Sequence, residues 1–171
     1  MKGYTQIYTG NGKGKTTAAF GLALRAVGAG KKVFIAQFVK GMKYSEINAV
    51  EKCFPEITIK QYGLSCFIVN VPTEKDIEAA RKGLKETSRV IASGKYEVVI
   101  LDEVCIATYY NLFTVNELIE VLKTKPESTE IIITGRFAAK ELIEVADLVT
   151  EMKEVKHYYT KGVEARKGIE F

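Results

Sequence analysis

The run from Tyr4 to Thr17, YTQIYTGNGKGKTT, passes from alternating apolar residues through three closely spaced glycines into a helical apolar pattern at Ala18, Ala19, Phe20, Leu22, Ala23 and Leu24. A strand, a glycine loop and a helix in that order suit the binding of phosphates. A polyphosphate needs several backbone N–H groups turned inward at once, in conformations and at distances that side chains obstruct, and Gly10, Gly12 and Gly14 remove those side chains. Lys15 reaches the outer phosphates as a point charge, and the Thr16 hydroxyl is placed to ligate an accompanying Mg²⁺, with Mn²⁺ as an alternative. Gly10, Asn11, Gly12, Lys13, Gly14, Lys15, Thr16 and Thr17 are therefore the expected phosphate-binding loop. One position is irregular. In the signature G-x-x-x-x-G-K-[ST] the first glycine falls where Thr9 stands, and the glycine is displaced to Gly10. Glycine-rich turns also occur as plain connectors, but Gly14-Lys15-Thr16 between a strand and an apolar helix favours phosphate binding.

At 171 residues the chain is expected to form one domain over 1–171, burying roughly two-thirds of its unfolded surface without disulfide or structural metal. A net charge of +4, from 25 basic and 21 acidic residues scattered along the chain, is too mild to argue for a nucleic-acid partner and compatible with small anionic ligands. Cys53, Cys66 and Cys105 are odd in number and widely spaced, which reads as reduced thiols in a cytoplasmic protein. No secretory, transmembrane or lipidation pattern is present, so no membrane partner is expected.

Strand-like and helix-like segments alternate throughout. The first helix is expected to stop around Gly28 to Gly30, and Lys32 to Val39 is an almost unbroken apolar run, the mark of a strand buried on both faces. Ser45 to Cys53 reads as a short helix stopped at Phe54-Pro55, and Ile57 to Tyr62 as a third strand. Thr73 with Asp76 predicts a helix start, with Ile77, Ala80, Leu84 and Ile91 on one face and a stop at Gly94. Val98 to Leu101 is the most apolar strand; Thr114 with Glu117 caps a further helix, and Ile131 to Ile133 is the next strand. Ala138 to Ala146 is expected to be helical, followed by a sixth strand at Leu148-Val149. This is the pattern of an α/β protein with a mostly parallel sheet of about six strands and helices on both faces.

Ligands of such sheets bind beyond the carboxyl ends of the strands, and three strand ends here carry polar groups. Asp102-Glu103 follows Val98-Val99-Ile100-Leu101: a carboxylate here can hold Mg²⁺ directly or through water, and Glu103 can instead orient an attacking water, the plain alternative being a solvated acidic turn. Thr134-Gly135-Arg136 follows the fifth strand, where Arg136 is a fork-shaped phosphate ligand or, alternatively, a surface arginine paired with Glu141 or Glu144. Gln37 with Lys40-Gly41 is a weaker signal, for which a solvated turn is an equal reading.

The placed segments resemble the P-loop type of ATP:corrinoid adenosyltransferase. The matching runs are TGNGKGKTTAAFGLALRAVGAGKKV (Thr9 to Val33), QFVKG (Gln37 to Gly41), VVILDE (Val98 to Glu103), TGR (Thr134 to Arg136) and ADLVTEMKEVKHYYTKGVEARKGIEF (Ala146 to Phe171), in the same order over the whole chain. Threonine in the first loop position is itself typical of that family. The resemblance implies a RecA-like P-loop architecture, ATP as co-substrate and a corrinoid as acceptor. In that chemistry Co(I) attacks the 5′ carbon of ATP and triphosphate leaves. A Co(I) nucleophile brings no proton, so the site needs no general base, and the lone His157 with no Ser-His-Asp or Cys-His arrangement is no objection. Lys15 and Arg136 take the catalytic roles in this reading, with Thr16, Glu103 and Asp102 at the metal. A flavin-type reductant protein and a homodimer are the implied partners.

Two departures from the family pattern stand out. Where better-known members carry a Phe-x-Trp pair beside the corrinoid, this chain has Cys66 and Ile68 with Phe67 between them, so Phe67 and Ile68 are the expected corrinoid contacts. Met1 stands a few residues before the first strand, so the N-terminal extension of longer members is expected to be missing. His157 reads as a hydrogen-bonded structural residue, and Tyr109-Tyr110, Phe113 and Tyr158-Tyr159 as packing. Two other functions stay open: an ATPase or kinase in which Glu103 activates the nucleophile, and a nucleotide-gated corrinoid-binding module.

Overall fold

A computed structural model describes residues 2–64 and 71–171. In chain order the elements are β1 (Thr5–Thr9), α1 (Lys15–Gly28), β2 (Val33–Phe38), α2 (Ser45–Cys53), β3 (Ile57–Tyr62), α3 (Glu74–Ala92), β4 (Val98–Asp102), α4 (Val104–Tyr109), α5 (Val115–Lys123), β5 (Glu130–Thr134), α6 (Lys140–Val145) and β6 (Leu148–Glu151), with a 3₁₀ turn at Tyr158–Lys161. The six strands form one sheet in the order β3-β2-β4-β5-β1-β6, and every neighbouring pair is parallel. One strand, β5, separates the strand that feeds the glycine loop from the strand that ends in Asp102.

The alternation of side chains along each strand divides the core in two. Phe34, Ala36 and Phe38 of β2, Val99 and Leu101 of β4, and Ile131 and Ile133 of β5 pack with residues of α3, α4, α5 and α6. Val33 and Ile35, Val98 and Ile100, and Ile132 face α1 and α2 through Ala19, Ala23, Ala26 and Val50. Burial on both faces is why these strands read as unbroken apolar runs. Both expected capping boxes are formed: Thr73 accepts from the Asp76 amide while Asp76 accepts from Thr73, and Thr114 and Glu117 do the same. Each box contributes about 1 kcal/mol to holding its helix start.

One element is unannounced in the sequence, and two expectations need correction. The segment after β4 holds a helix, α4, that no sequence signal announces: it starts from Glu103 in the left-handed region (φ 59, ψ 19) with no side-chain cap, and most of its residues are buried, so it lacks an amphipathic stripe. The last helix is shorter than Ala138 to Ala146, with its start and stop at extended Ala139 and Ala146. The sixth strand runs on to Glu151 and is exposed along its length, because it pairs with β1 alone at the sheet edge. Cys53 and Cys105 are free thiols. No helix among the described residues is long and apolar enough to cross a membrane.

Candidate active site

At the carboxyl ends of the strands, residues 10–14 turn from β1 into α1, with Gly10 at φ 96 and Gly14 at φ 121, conformations that suit glycine. The loop is backed by the C-terminal tail. The Gly12 amide donates to the Met152 carbonyl at 2.7 Å and the Met152 amide to Thr9 at 2.8 Å, and a Cβ on Gly10 or Gly12 would lie within 2.5 or 2.6 Å of the Met152 oxygen. Two of the three glycines are thus required by the tail, and the Gly12 amide is turned to it. The Lys15 ammonium is folded into the loop, donating to the Gly10 and Gly12 carbonyls, both at 2.7 Å. Burial lowers its pKa, and Arg136 and Lys40 add to the fall against the opposing pull of Glu103.

Asp102 is fully buried and accepts four side-chain hydrogen bonds. Its Oδ1 receives the Thr16 hydroxyl at 2.9 Å and the Thr134 hydroxyl at 2.7 Å, and its Oδ2 receives the Lys40 ammonium at 2.9 Å and the Gln37 amide at 3.0 Å. Burial alone would raise this carboxyl; Lys40, Thr134 and Thr16 together outweigh it and hold the group below its usual range. Gln37 and Lys40, for which a solvated turn was an equal reading, are buried parts of the site. Thr134 serves twice, since it also accepts from the Glu103 amide at 2.9 Å and so fixes the left-handed turn that aims Glu103 into the cleft. Glu103 keeps partial solvent contact; burial, with Asp102 adding, raises its pKa against the pull of Lys40.

Arg136 is exposed and forms no ion pair among the described residues; Glu144 pairs instead with Lys140 at 3.7 Å. It lines one cleft of about 860 Å³ together with the glycine loop, Lys40, Glu103, Phe20, Tyr44 and Phe171. Sequence reasoning missed the far wall. Glu170 accepts from Lys13 at 2.9 Å, from the Tyr158 hydroxyl and from the Arg166 amide at 2.7 Å, while the Phe171 carbonyl accepts from Ser45 at 3.1 Å and its ring lies 6.3 Å from that of Tyr44. The tail therefore spans from the glycine loop to the start of α2. The one available signal was its GVEARKGIEF run, to which the residue types alone assign no chemistry.

His157 lines the same cleft, with Nδ1 accepting from the Tyr159 amide at 3.1 Å, which caps the 3₁₀ turn. Phe113 is core, edge-on to Phe38, and Tyr109 stacks on Phe137 at 4.4 Å. Burial pushes the Cys105 thiol up to about 12, with Glu103 adding, so it supplies no thiolate. Cys66, Phe67 and Ile68 lie outside the described residues.

The sequence model of the family described as ATP:corrinoid adenosyltransferase BtuR/CobO/CobP matches residues 1–171. The chain belongs to this family. It is 38% identical over 171 residues to the corrinoid adenosyltransferase of Escherichia coli (strain K12), covering 99% of this chain and 86% of that one. It is 37% identical to corrinoid adenosyltransferase CobA of Salmonella typhimurium at the same coverage, and 34% identical to the corrinoid adenosyltransferase of Pseudomonas aeruginosa, of which 84% is covered. In this adenosyltransferase chain the three polar strand ends that the sequence singled out meet at one point, and that point adjoins the glycine loop.

Proposed function

We propose that the protein transfers the 5′-deoxyadenosyl group of ATP to the Co(I) centre of a corrinoid and releases triphosphate. The observation that carries the reading is the gathering of Lys15, Lys40 and Arg136 at the phosphate end of one cleft, in a chain of this family. Three cations there suit a reaction whose charge accumulates on a polyphosphate leaving group. A cobalt–carbon bond forms, the bond from C5′ to the α-phosphate oxygen breaks, and no proton moves. Holding C5′ of ATP beside the corrinoid at the mouth of this cleft is what would supply proximity. Phe67 and Ile68 are assigned to the corrinoid side, cobalamin or an earlier cobyrinic acid derivative being the acceptor. A flavin-type protein delivers the electron that makes Co(I). A second copy of the chain pairs with the first, for which exposed Leu148, Val149 and Val145 at the sheet edge offer apolar surface.

Incubation with ATP, Mg²⁺ and chemically reduced cobalamin is expected to yield triphosphate and a light-sensitive alkylcobalt product in equal amounts, with slow hydrolysis when corrinoid is omitted. Fast release of phosphate without corrinoid would overturn the reading in favour of an ATPase built on Glu103.

Three oxygen donors of the kind Mg²⁺ and Mn²⁺ prefer, from Thr16, Asp102 and Glu103, surround the Lys40 ammonium at 3.1, 2.9 and 3.7 Å, so the donor set fits a hard divalent cation. We assign direct contact to Thr16 and Glu103, with Asp102 orienting Thr16. When bound, the ion neutralises phosphate charge. Thr16→Ala and Glu103→Gln are each expected to raise the Mg²⁺ requirement, and the double variant to be little worse than the worse single one. Fully additive losses in a Mg²⁺ titration of activity would separate the two residues.

A further inference from the structure

Lys40 follows β2 directly, yet its side chain is only 7% exposed. Its ammonium donates to the Thr16 hydroxyl and to Asp102 and lies 3.7 Å from Glu103, so it occupies the point at which the site's three oxygen donors converge. The bonding is self-consistent, because the Thr16 hydroxyl donates its proton to Asp102 and accepts from Lys40 on a lone pair.

The backbone is built to hold it there. Val39, a β-branched residue, sits at φ 60, a left-handed conformation that such side chains rarely adopt and that persists only where surrounding structure imposes it. The imposing structure is a backbone-to-backbone contact with the end of β3. A Cβ on Gly41 would fall 1.4 Å from the Leu64 carbonyl oxygen, and one on Gly63 would fall 2.4 Å from the Lys40 nitrogen. Two glycines and one strained valine thus turn Lys40 inward, away from the solvent that a lysine after a strand ordinarily reaches.

A divalent ion ligated by Thr16 and Glu103 lies about 2.1 Å from their oxygens, at the point the ammonium now occupies 3.1 and 3.7 Å from the same two groups, so like charges compete for one place and ion and ammonium oppose one another. We propose that Lys40 is an internal counter-cation that closes the metal position in the nucleotide-free protein and passes to the triphosphate when a metal–nucleotide complex binds, so that metal enters only together with nucleotide. This rests on the phosphate and metal parts of the proposed function and is independent of the corrinoid. Metal alone would have to expel Lys40 from its buried pair with Asp102. The phosphates of an arriving complex supply a new acceptor, and the released ammonium then helps to neutralise the charge on the leaving group.

The test is Mn²⁺ binding to the intact chain by electron paramagnetic resonance, with Mn²⁺ alone and with ATP. Wild type is expected to take up one Mn²⁺ with ATP and to bind Mn²⁺ alone only weakly. Lys40→Met removes the competing charge, and its affinity for Mn²⁺ alone should rise at least about tenfold, while its affinity for ATP falls by about as much through loss of a charge-assisted partner. Unchanged affinity of the folded variant for Mn²⁺ alone would overturn the proposal. Should the variant not fold, wild type decides: tight stoichiometric binding of Mn²⁺ without nucleotide overturns it, and uptake that waits for ATP supports it. Failure of wild type to bind Mn²⁺ with ATP at all would instead overturn the phosphate-site reading, and this inference with it.

Discussion

Lys15→Ala is expected to abolish adenosyl transfer and to weaken ATP binding by about 3 kcal/mol, the scale of a charge-assisted hydrogen bond lost from a site that excludes water. The size follows from where the ammonium sits. It is 8% exposed, enclosed by the loop and bonded to the carbonyls of Gly10 and Gly12, so it is already desolvated before a ligand arrives. A phosphate entering the loop takes over an ammonium whose water has been removed, whereas an exposed lysine would surrender most of the gain to the loss of its water. Turnover suffers more than binding, because charge on the leaving triphosphate grows toward the transition state and the partner that meets it is gone. Calorimetric titration with ATP, beside a triphosphate-release assay, gives both numbers. ATP affinity equal to that of wild type would remove Lys15 from the site.

Asp102→Asn should be the most damaging change to the fold itself, costing about 3–5 kcal/mol, because removing one partner of a buried ion pair leaves the other charge uncompensated. Lys40 is that other charge, and the amide that replaces the carboxylate can accept on only one of its two atoms, so donors among Thr16, Thr134, Lys40 and Gln37 lose their acceptor. For a chain of this size the melting temperature should fall by about 10 °C. The pH dependence has a definite sign. The folded pKa of Asp102 is depressed, so its contribution is complete above the unfolded value near ~3.9 and is lost as pH falls through the folded one. Lys40 is also buried, which alone would lower its pKa, but Asp102 and Glu103 raise it on balance; its contribution is complete below the unfolded value near ~10.4 and is lost as pH rises through the folded one. Wild type should therefore be most stable between these limits, and Asp102→Asn should be less stable across that window and lose part of the acid limb. Urea melts over a pH series measure this, and a variant as stable as wild type at neutral pH would mean that the pair is not buried as described.

Much of the architecture follows from signals that act over a few residues. The almost unbroken apolar run of Val33 to Phe38 arises because successive side chains leave a strand on opposite faces and both faces are covered, and Thr73 with Asp76 and Thr114 with Glu117 cap helices because the partners are three residues apart. The glycine loop, the acidic end of β4 and the TGR turn were legible for the same reason. Periodicity tells a strand which face is buried but not which strand lies beside it, so the sequence by itself determined six strands, every described helix but α4, and three polar strand ends. Only the tertiary structure decided that β2 and β4 are neighbours, and with that pairing Lys40 and Gln37, 62 and 65 residues from Asp102, became buried partners of its carboxylate. The tail belongs to the same class, since Glu170 meets Lys13 across 157 residues and no local pattern encodes the contact. Helix α4 and the inward turn at Val39 were illegible for a different reason. Both depend on non-glycine residues held at positive φ by distant packing, Glu103 by Thr134 and Val39 by the approach of Gly63 to Lys40, and a backbone conformation imposed from outside leaves no mark on the residues that adopt it.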